Sequence, residues 1–143
     1  MPTRLILPAI CAGALLWAHP GAAEGALAVG VPRDVAKQGF AYSYNYNKPT
    51  ADEARTGALQ GCRTTKAAPD GAKKLCSIIE TFHDKCVAVA MDPLAGTPGV
   101  GWAVAADLRT AERVALAKCE ATAGRGRRAA CKVDKSNCDG SAK

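Results

Sequence analysis

His83-Asp84, two positions before Cys86, is the grouping closest to a catalytic set in this chain. A cysteine nucleophile needs a thiolate held beside a base, and His83 oriented by Asp84 would supply that base. The other cysteines argue against it. Beyond residue 23 the chain carries Cys62, Cys76, Cys86, Cys119, Cys131 and Cys138, with no Cys-x-x-Cys pair and with His83 as the only histidine. An even set in an exported chain reads as disulfides rather than as thiolates or zinc ligands. His83 is then a surface residue at a strand end. The sequence has no Gly-x-Ser-x-Gly elbow, phosphate-binding glycine loop or metal-type histidine pair. The acidic pair Asp52-Glu53 falls in the first turn of an expected helix, where it complements the dipole. No catalytic residue, metal or cofactor is expected.

Two other groupings have the makings of a contact surface. Phe40, Tyr42, Tyr44 and Tyr46 alternate, which puts four rings on one face of a strand. Tyr44 and Tyr46, nearest the turn at Asn47-Lys48-Pro49, would offer a flat platform to a sugar or peptide. The plainer reading packs the stripe beneath the following helix, with Phe40 and Tyr42 in the core. The second grouping is Arg125-Gly126-Arg127-Arg128, the densest charge in the chain, with Lys73-Lys74 at the matching place earlier. Arginine offers planar, bidentate contacts to carboxylate and phosphate. Arg125, Arg127, Arg128, Lys73 and Lys74 are therefore candidate anion contacts, against the plainer reading of two solvated loops.

These groupings must be held by elements, and the chain lays them out after a leader. Arg4, the apolar run Leu5 to Ala18 and the small residues Gly21-Ala22-Ala23 form a signal-peptide pattern over residues 1–23, with Cys11 discarded inside it. The run is too short to span a bilayer comfortably, and no second one follows. Cleavage after Ala23 leaves residues 24–143 as one domain and, with Arg4 gone, lowers the formal charge from +6 to +5. That balance suits a periplasmic or secreted protein meeting an anionic envelope component or another protein. Nucleic acid is not expected, nor a membrane-spanning segment once the leader is removed.

A pattern then occurs twice. Ala54, Ala58, Leu59 and Cys62 match Ala111, Ala115, Leu116 and Cys119, each set on one helical face. Thr50 and Asp107 are N-cap types. A strand opened by Gly39-Phe40-Ala41-Tyr42 or Gly101-Trp102-Ala103-Val104 precedes each helix. Before it comes a small apolar strand, Ala26-Leu27-Ala28-Val29 or Val87-Ala88-Val89-Ala90. After each helix come a basic loop and a strand led by Cys76 or Cys131. The reading is α+β: two strand–strand–helix–strand repeats, about 24–82 and 83–143, forming a mainly antiparallel sheet with two packed helices and disulfide staples. The last strand, with Lys132, Asp134 and Lys135, suits a sheet edge. Six cysteines allow many pairings. The repeat favours Cys62–Cys76 and Cys119–Cys131, leaving Cys86–Cys138 to join the two units.

The Gly-Phe-Ala-Tyr-Ser-Tyr-Asn-Tyr stretch, the alanine-rich helix ending in cysteine, the segment Asp84-Lys85-Cys86-Val87-Ala88-Val89 and the second copy at Gly101-Trp102 resemble the bacterial family called domain of unknown function 4189. The resemblance covers nearly all of the chain beyond the leader. It implies a small secreted fold with no established general activity, and it transfers no catalytic residue. The chain departs from the commoner pattern in its long first helix-to-strand loop, Arg63 to Leu75. On this reading the protein is a binding or interaction module, the alternative being a secreted hydrolase or effector acting on envelope or host material. Protein recovered from the cell envelope is expected to start at Glu24 by intact mass and to show no reactive thiol in its native state; retention of Met1 or a titratable thiol would contradict the reading.

Overall fold

The computed structural model describes residues 23–143. The expected signal peptide, including Cys11, lies outside the described residues except for Ala23. The elements are β1 (Glu24–Gly30), α1 (Val35–Gln38), β2 (Ala41–Lys48), α2 (Ala51–Thr64), α3 (Asp70–Lys74), β3 (Ser77–His83), β4 (Cys86–Met91), β5 (Val100–Ala105), α4 (Leu108–Thr122) and β6 (Lys132–Cys138). A 3-10 turn at Arg128–Ala130 leads into β6. Thr50 caps α2 by accepting the Glu53 N–H at 3.2 Å, and Asp107 caps α4 by accepting that of Thr110 at 2.9 Å. Among the described residues no helix is long and apolar enough to cross a membrane.

The architecture is α+β, but the six strands form two antiparallel sheets of three, in the orders β2-β1-β3 and β5-β4-β6. The central strands explain the division. In β1, Ala26 and Ala28 face α2 while Leu27 and Val29 face the other way. In β4, Ala88 and Ala90 face α4 while Val87 and Val89 point away from it. All eight side chains are at most 1% exposed. One sheet with helices on a single face would leave the four larger side chains in water. Stacking two sheets buries them together, giving the layers helix, sheet, sheet, helix. As the charged pattern of the last strand implied, β6 is an edge strand.

The helix faces are built from small residues: Ala54, Ala58 and Cys62 on α2, and Ala111, Ala115 and Cys119 on α4, each fully buried. Disulfides join Cys62 to Cys76, Cys119 to Cys131 and Cys86 to Cys138. The first two clip each long helix to the strand that follows it. The third joins directly opposed residues of β4 and β6, so it lies inside the second half and does not link the halves.

The cross-strand register also corrects the alignment of the two copies. Counted from Cys76 and Cys131, Ser77 pairs with Val29 and Lys132 with Met91. Val29 in turn pairs with Tyr42, and Met91 with Val100. Tyr42, Ser43 and Tyr44 therefore correspond to Val100, Gly101 and Trp102. The Gly-Phe and Gly-Trp pairs, alike in sequence, stand at different places in the sheets.

Gly101 lies beneath α4. A Cβ there would meet the Ala115 carbonyl oxygen at 2.3 Å and the Cys119 nitrogen at 2.4 Å, both backbone atoms that cannot swing aside. Gly101→Ala should lower the stability measured by urea unfolding by about 1–3 kcal/mol or more. Gly71→Ala, with nothing within 4 Å of the new methyl, should be neutral or stabilise by about 0.5 kcal/mol.

Candidate functional site

β2 is an edge strand, and its alternation sorts its side chains between two layers. Ser43 and Asn45 lie under α2, where Gly61 and Gly57 leave room for them. Tyr42, Tyr44 and Tyr46 take the opposite face and pack with the residues between the sheets. The stripe therefore does not sit beneath the helix, because the residues between the tyrosines are the ones small enough to do so. The tyrosines look across at β6 in the other sheet. Tyr42 donates its hydroxyl to Asp134, and the Tyr44 hydroxyl accepts from Asn137 Nδ2 at 2.8 Å. Burial raises the Tyr42 phenol above its ordinary range, reinforced by the Asp134 carboxylate that accepts its proton. Burial also raises Tyr44.

Where β2 and β6 approach, they bound a cleft of about 740 Å³. One wall is the aromatic row; β6 contributes Asp134, Lys135 and Asn137, and the end of α2 with its loop supplies Gly61, Thr65 and Ala68. Phe40 and Tyr42 stack at 5.6 Å between ring centroids, and Tyr44 and Tyr46 lie 6.1 Å apart at a 42° tilt. Phe40 is buried and the three tyrosines are half-buried. Such a surface offers ring faces for stacking and a short polar rim for orientation. Its single carboxylate, Asp134, is committed to Tyr42.

The basic candidates lie elsewhere. None of Arg125, Arg127, Arg128, Lys73 and Lys74 lines this cleft, and the five do not share one environment. Arg125, Arg128 and Lys74 are exposed. Lys73, in α3, pairs with Asp70 at 2.7 Å. Arg127 makes a two-pronged contact to Asp92, 2.7 Å from Nε and 2.6 Å from Nη2. The Asp92 side chain is wholly buried. The Arg127 guanidinium holds its carboxyl at about 2, helped by the Leu94 N–H. Arg127 is thus a structural partner that secures the link between β4 and β5 to the turn after α4.

His83 does meet a carboxylate, with Nε2 3.1 Å from Asp84 and Nδ1 bonded to the Ala23 carbonyl at 2.6 Å. Cys86 is oxidised, so no thiolate stands beside it. The contact with Ala23, followed by the neighbouring carboxylates, raises His83.

One functional-looking residue escaped the sequence reading. Asp139 is fully buried. Its carboxylate accepts the N–H of Asn47 at 2.6 Å and of Asp84 at 3.3 Å, while its own N–H bonds Lys85 O at 2.9 Å. Asn47 Oδ1 accepts from Gly140 N, and Asp84 Oδ1 from Ser141 N, each at 2.8 Å. Asn47 and Asp84 take positive φ, 54° and 47°, a conformation for which asparagine and aspartate are among the best-suited residues. The knot ties the end of β2, the β3–β4 turn and the chain's last residues together. An Asp-Gly pair in a tail was the only sequence signal of it.

The family model described as domain of unknown function (DUF4189) matches residues 25–138, which include both sheets and both long helices. No curated protein and no solved structure matches the chain.

The Asp92–Arg127 pair makes a pH-dependent contribution of known sign. The folded carboxyl titrates near 2 and the unfolded one near 3.8, so the stabilisation is present above about pH 4 and lost as pH falls towards 2. Arg127→Ser should lower the melting temperature at neutral pH by several degrees and flatten the acid limb of a melting-temperature profile. Arg125→Ser and Arg128→Ser should each stay within about 0.5 kcal/mol of wild type.

Proposed function

We propose, on the premise that the chain belongs to the DUF4189 family, that it is an exported, non-enzymatic binding module whose ligand lies along the tyrosine row between β2 and β6. The observation that carries this is the cleft: four aromatic side chains in line with one edge strand, faced by Asp134, Lys135 and Asn137. Ring centroids 5.6 and 6.1 Å apart match the scale of successive sugar rings. Opposite them Lys135 and the Asn137 amide oxygen suit hydroxyls, while Asp134 and Asn137 Nδ2 hold Tyr42 and Tyr44 in place. The ligand class on this reading is an oligosaccharide of the cell envelope. Three disulfides support an oxidising compartment. The residues that could have formed a nucleophile–base pair are a disulfide half-cystine and an exposed histidine, which supports binding over turnover.

Calorimetric titration with soluble peptidoglycan-derived oligosaccharides tests the proposal. Wild type is expected to bind, and Tyr44→Ala with Tyr46→Ala to bind at least tenfold more weakly, about 1.4 kcal/mol. Because Tyr44 also holds Asn137, Tyr46→Ala alone is the second variant; it should weaken binding with little change in melting temperature. Equal binding by wild type and both variants, or no binding by wild type, would overturn the assignment.

A further inference from the structure

A second cleft, of about 680 Å³, lies along β5, and the corrected register makes it the counterpart of the tyrosine cleft. With Cys62 set on Cys119 and Tyr44 on Trp102, six lining positions coincide. Phe40, Tyr42, Ser43, Tyr44, Gly61 and Thr65 of the first become Pro98, Val100, Gly101, Trp102, Lys118 and Thr122 of the second. One architecture thus occurs twice, at the free edge of each hairpin beside the C-terminal turn of its helix. The chemistry differs. The two phenols and the serine hydroxyl give way to Val100, Trp102 and Gly101, while the position of Gly61 carries a lysine. Val31, Pro32 and Val35 extend the apolar wall, with Val31 41% exposed.

The charged groups around the recess are Arg33, Asp34 and Lys118. Asp34 is already engaged: it accepts the Lys37 N–H at 3.2 Å and pairs with Lys37 Nζ at 3.4 Å. Arg33 has no ion pair among the described residues. Lys118 donates to the Trp102 carbonyl at 2.9 Å, which uses one of its three N–H groups. Thr122 Oγ1 is occupied by the Val100 and α4 backbone. An apolar recess is left with two cations at its rim, Arg33 and Lys118, that form no ion pair among the described residues, and with one carboxylate, Asp34, that is paired with Lys37.

We infer that this second cleft is a binding site for a single-chain anionic amphiphile of the fatty-acid type. Its hydrocarbon lies against Trp102, Val100, Pro98 and Val35, and its carboxylate meets Lys118 and Arg33. The two clefts share no lining residue, although Phe40 of the first stacks on Trp102 of the second at 5.9 Å, and neither assignment is a premise of the other.

Trp102 is a built-in reporter. With Trp17→Phe in the exported protein it is the only tryptophan, whether or not the leader has been removed. Dodecanoate, titrated below its micellar concentration, is expected to shift Trp102 emission saturably. Dodecanol and dodecyltrimethylammonium should bind at least tenfold more weakly. Lys118→Ala and Arg33→Ala should each weaken dodecanoate severalfold and leave dodecanol unchanged, while Tyr46→Ala should leave all three unchanged. Equal affinity for the three probes would reduce the cleft to an apolar recess without head-group recognition, and the absence of a saturable shift would remove the site. Binding to phosphatidylglycerol vesicles without binding to monomeric dodecanoate would assign the face to a bilayer and also overturn the inference.

Discussion

The two long helices lie on their sheets at a distance set by alanine, glycine and cysteine. Ala54, Ala58 and Cys62 on α2, and Ala111, Ala115 and Cys119 on α4, meet Ala26 and Ala28, or Ala88 and Ala90. The contact admits no more volume, as the approach of Gly101 to the α4 backbone shows. Small side chains bury little apolar area each, so these interfaces are thin in hydrophobic stabilisation. Disulfides stand at the same places. Cys62–Cys76 and Cys119–Cys131 close stretches of 14 and 12 residues, and each contributes about 3 kcal/mol on the chain-entropy model.

The larger side chains are displaced to the middle of the molecule, and that displacement shapes both clefts. Leu27, Val29, Phe82, Val87 and Val89 fill the space between the sheets. Towards the edges of β2 and β5 the filling opens out, and the aromatic residues of those strands line the openings. Phe40 and Trp102 stack at 5.9 Å between centroids, joining the two regions. Among the described residues no disulfide crosses between the halves. They are joined by apolar packing, by the hydrogen bonds of Tyr42 and Tyr44 to β6, and by the buried carboxylate of Asp139. Polar groups buried in this way are tolerated only when satisfied, and no buried side-chain polar atom among the described residues lacks a partner.

Charge that looks alike in the sequence divides by environment. Arg127 serves a buried aspartate 35 positions away, while Arg125 and Arg128 remain at the surface. Arginine is suited to either place, since its fork matches a carboxylate whether that carboxylate is internal or brought by a ligand. Such a cluster therefore cannot be assigned a role from density of charge alone.

By itself the sequence determined what depends on local period and local chemistry. The three- and four-residue spacing of small residues marked both helices, Thr50 and Asp107 marked their starts, and the repeated cysteine positions favoured the pairing that is observed. The alternation of Phe40, Tyr42, Tyr44 and Tyr46 put the rings on one face. Which face was the helix side, and which the sheet side, was decided only by tertiary structure, because alternation is symmetric until something covers one side. The division into two sheets, the register that equates Tyr44 with Trp102, the capture of Arg127 by Asp92 and the knot around Asp139 all depend on contacts between residues far apart in the chain. No local pattern encodes these, because each arises where buried surface and buried charge must find partners that only the assembled layers bring within reach.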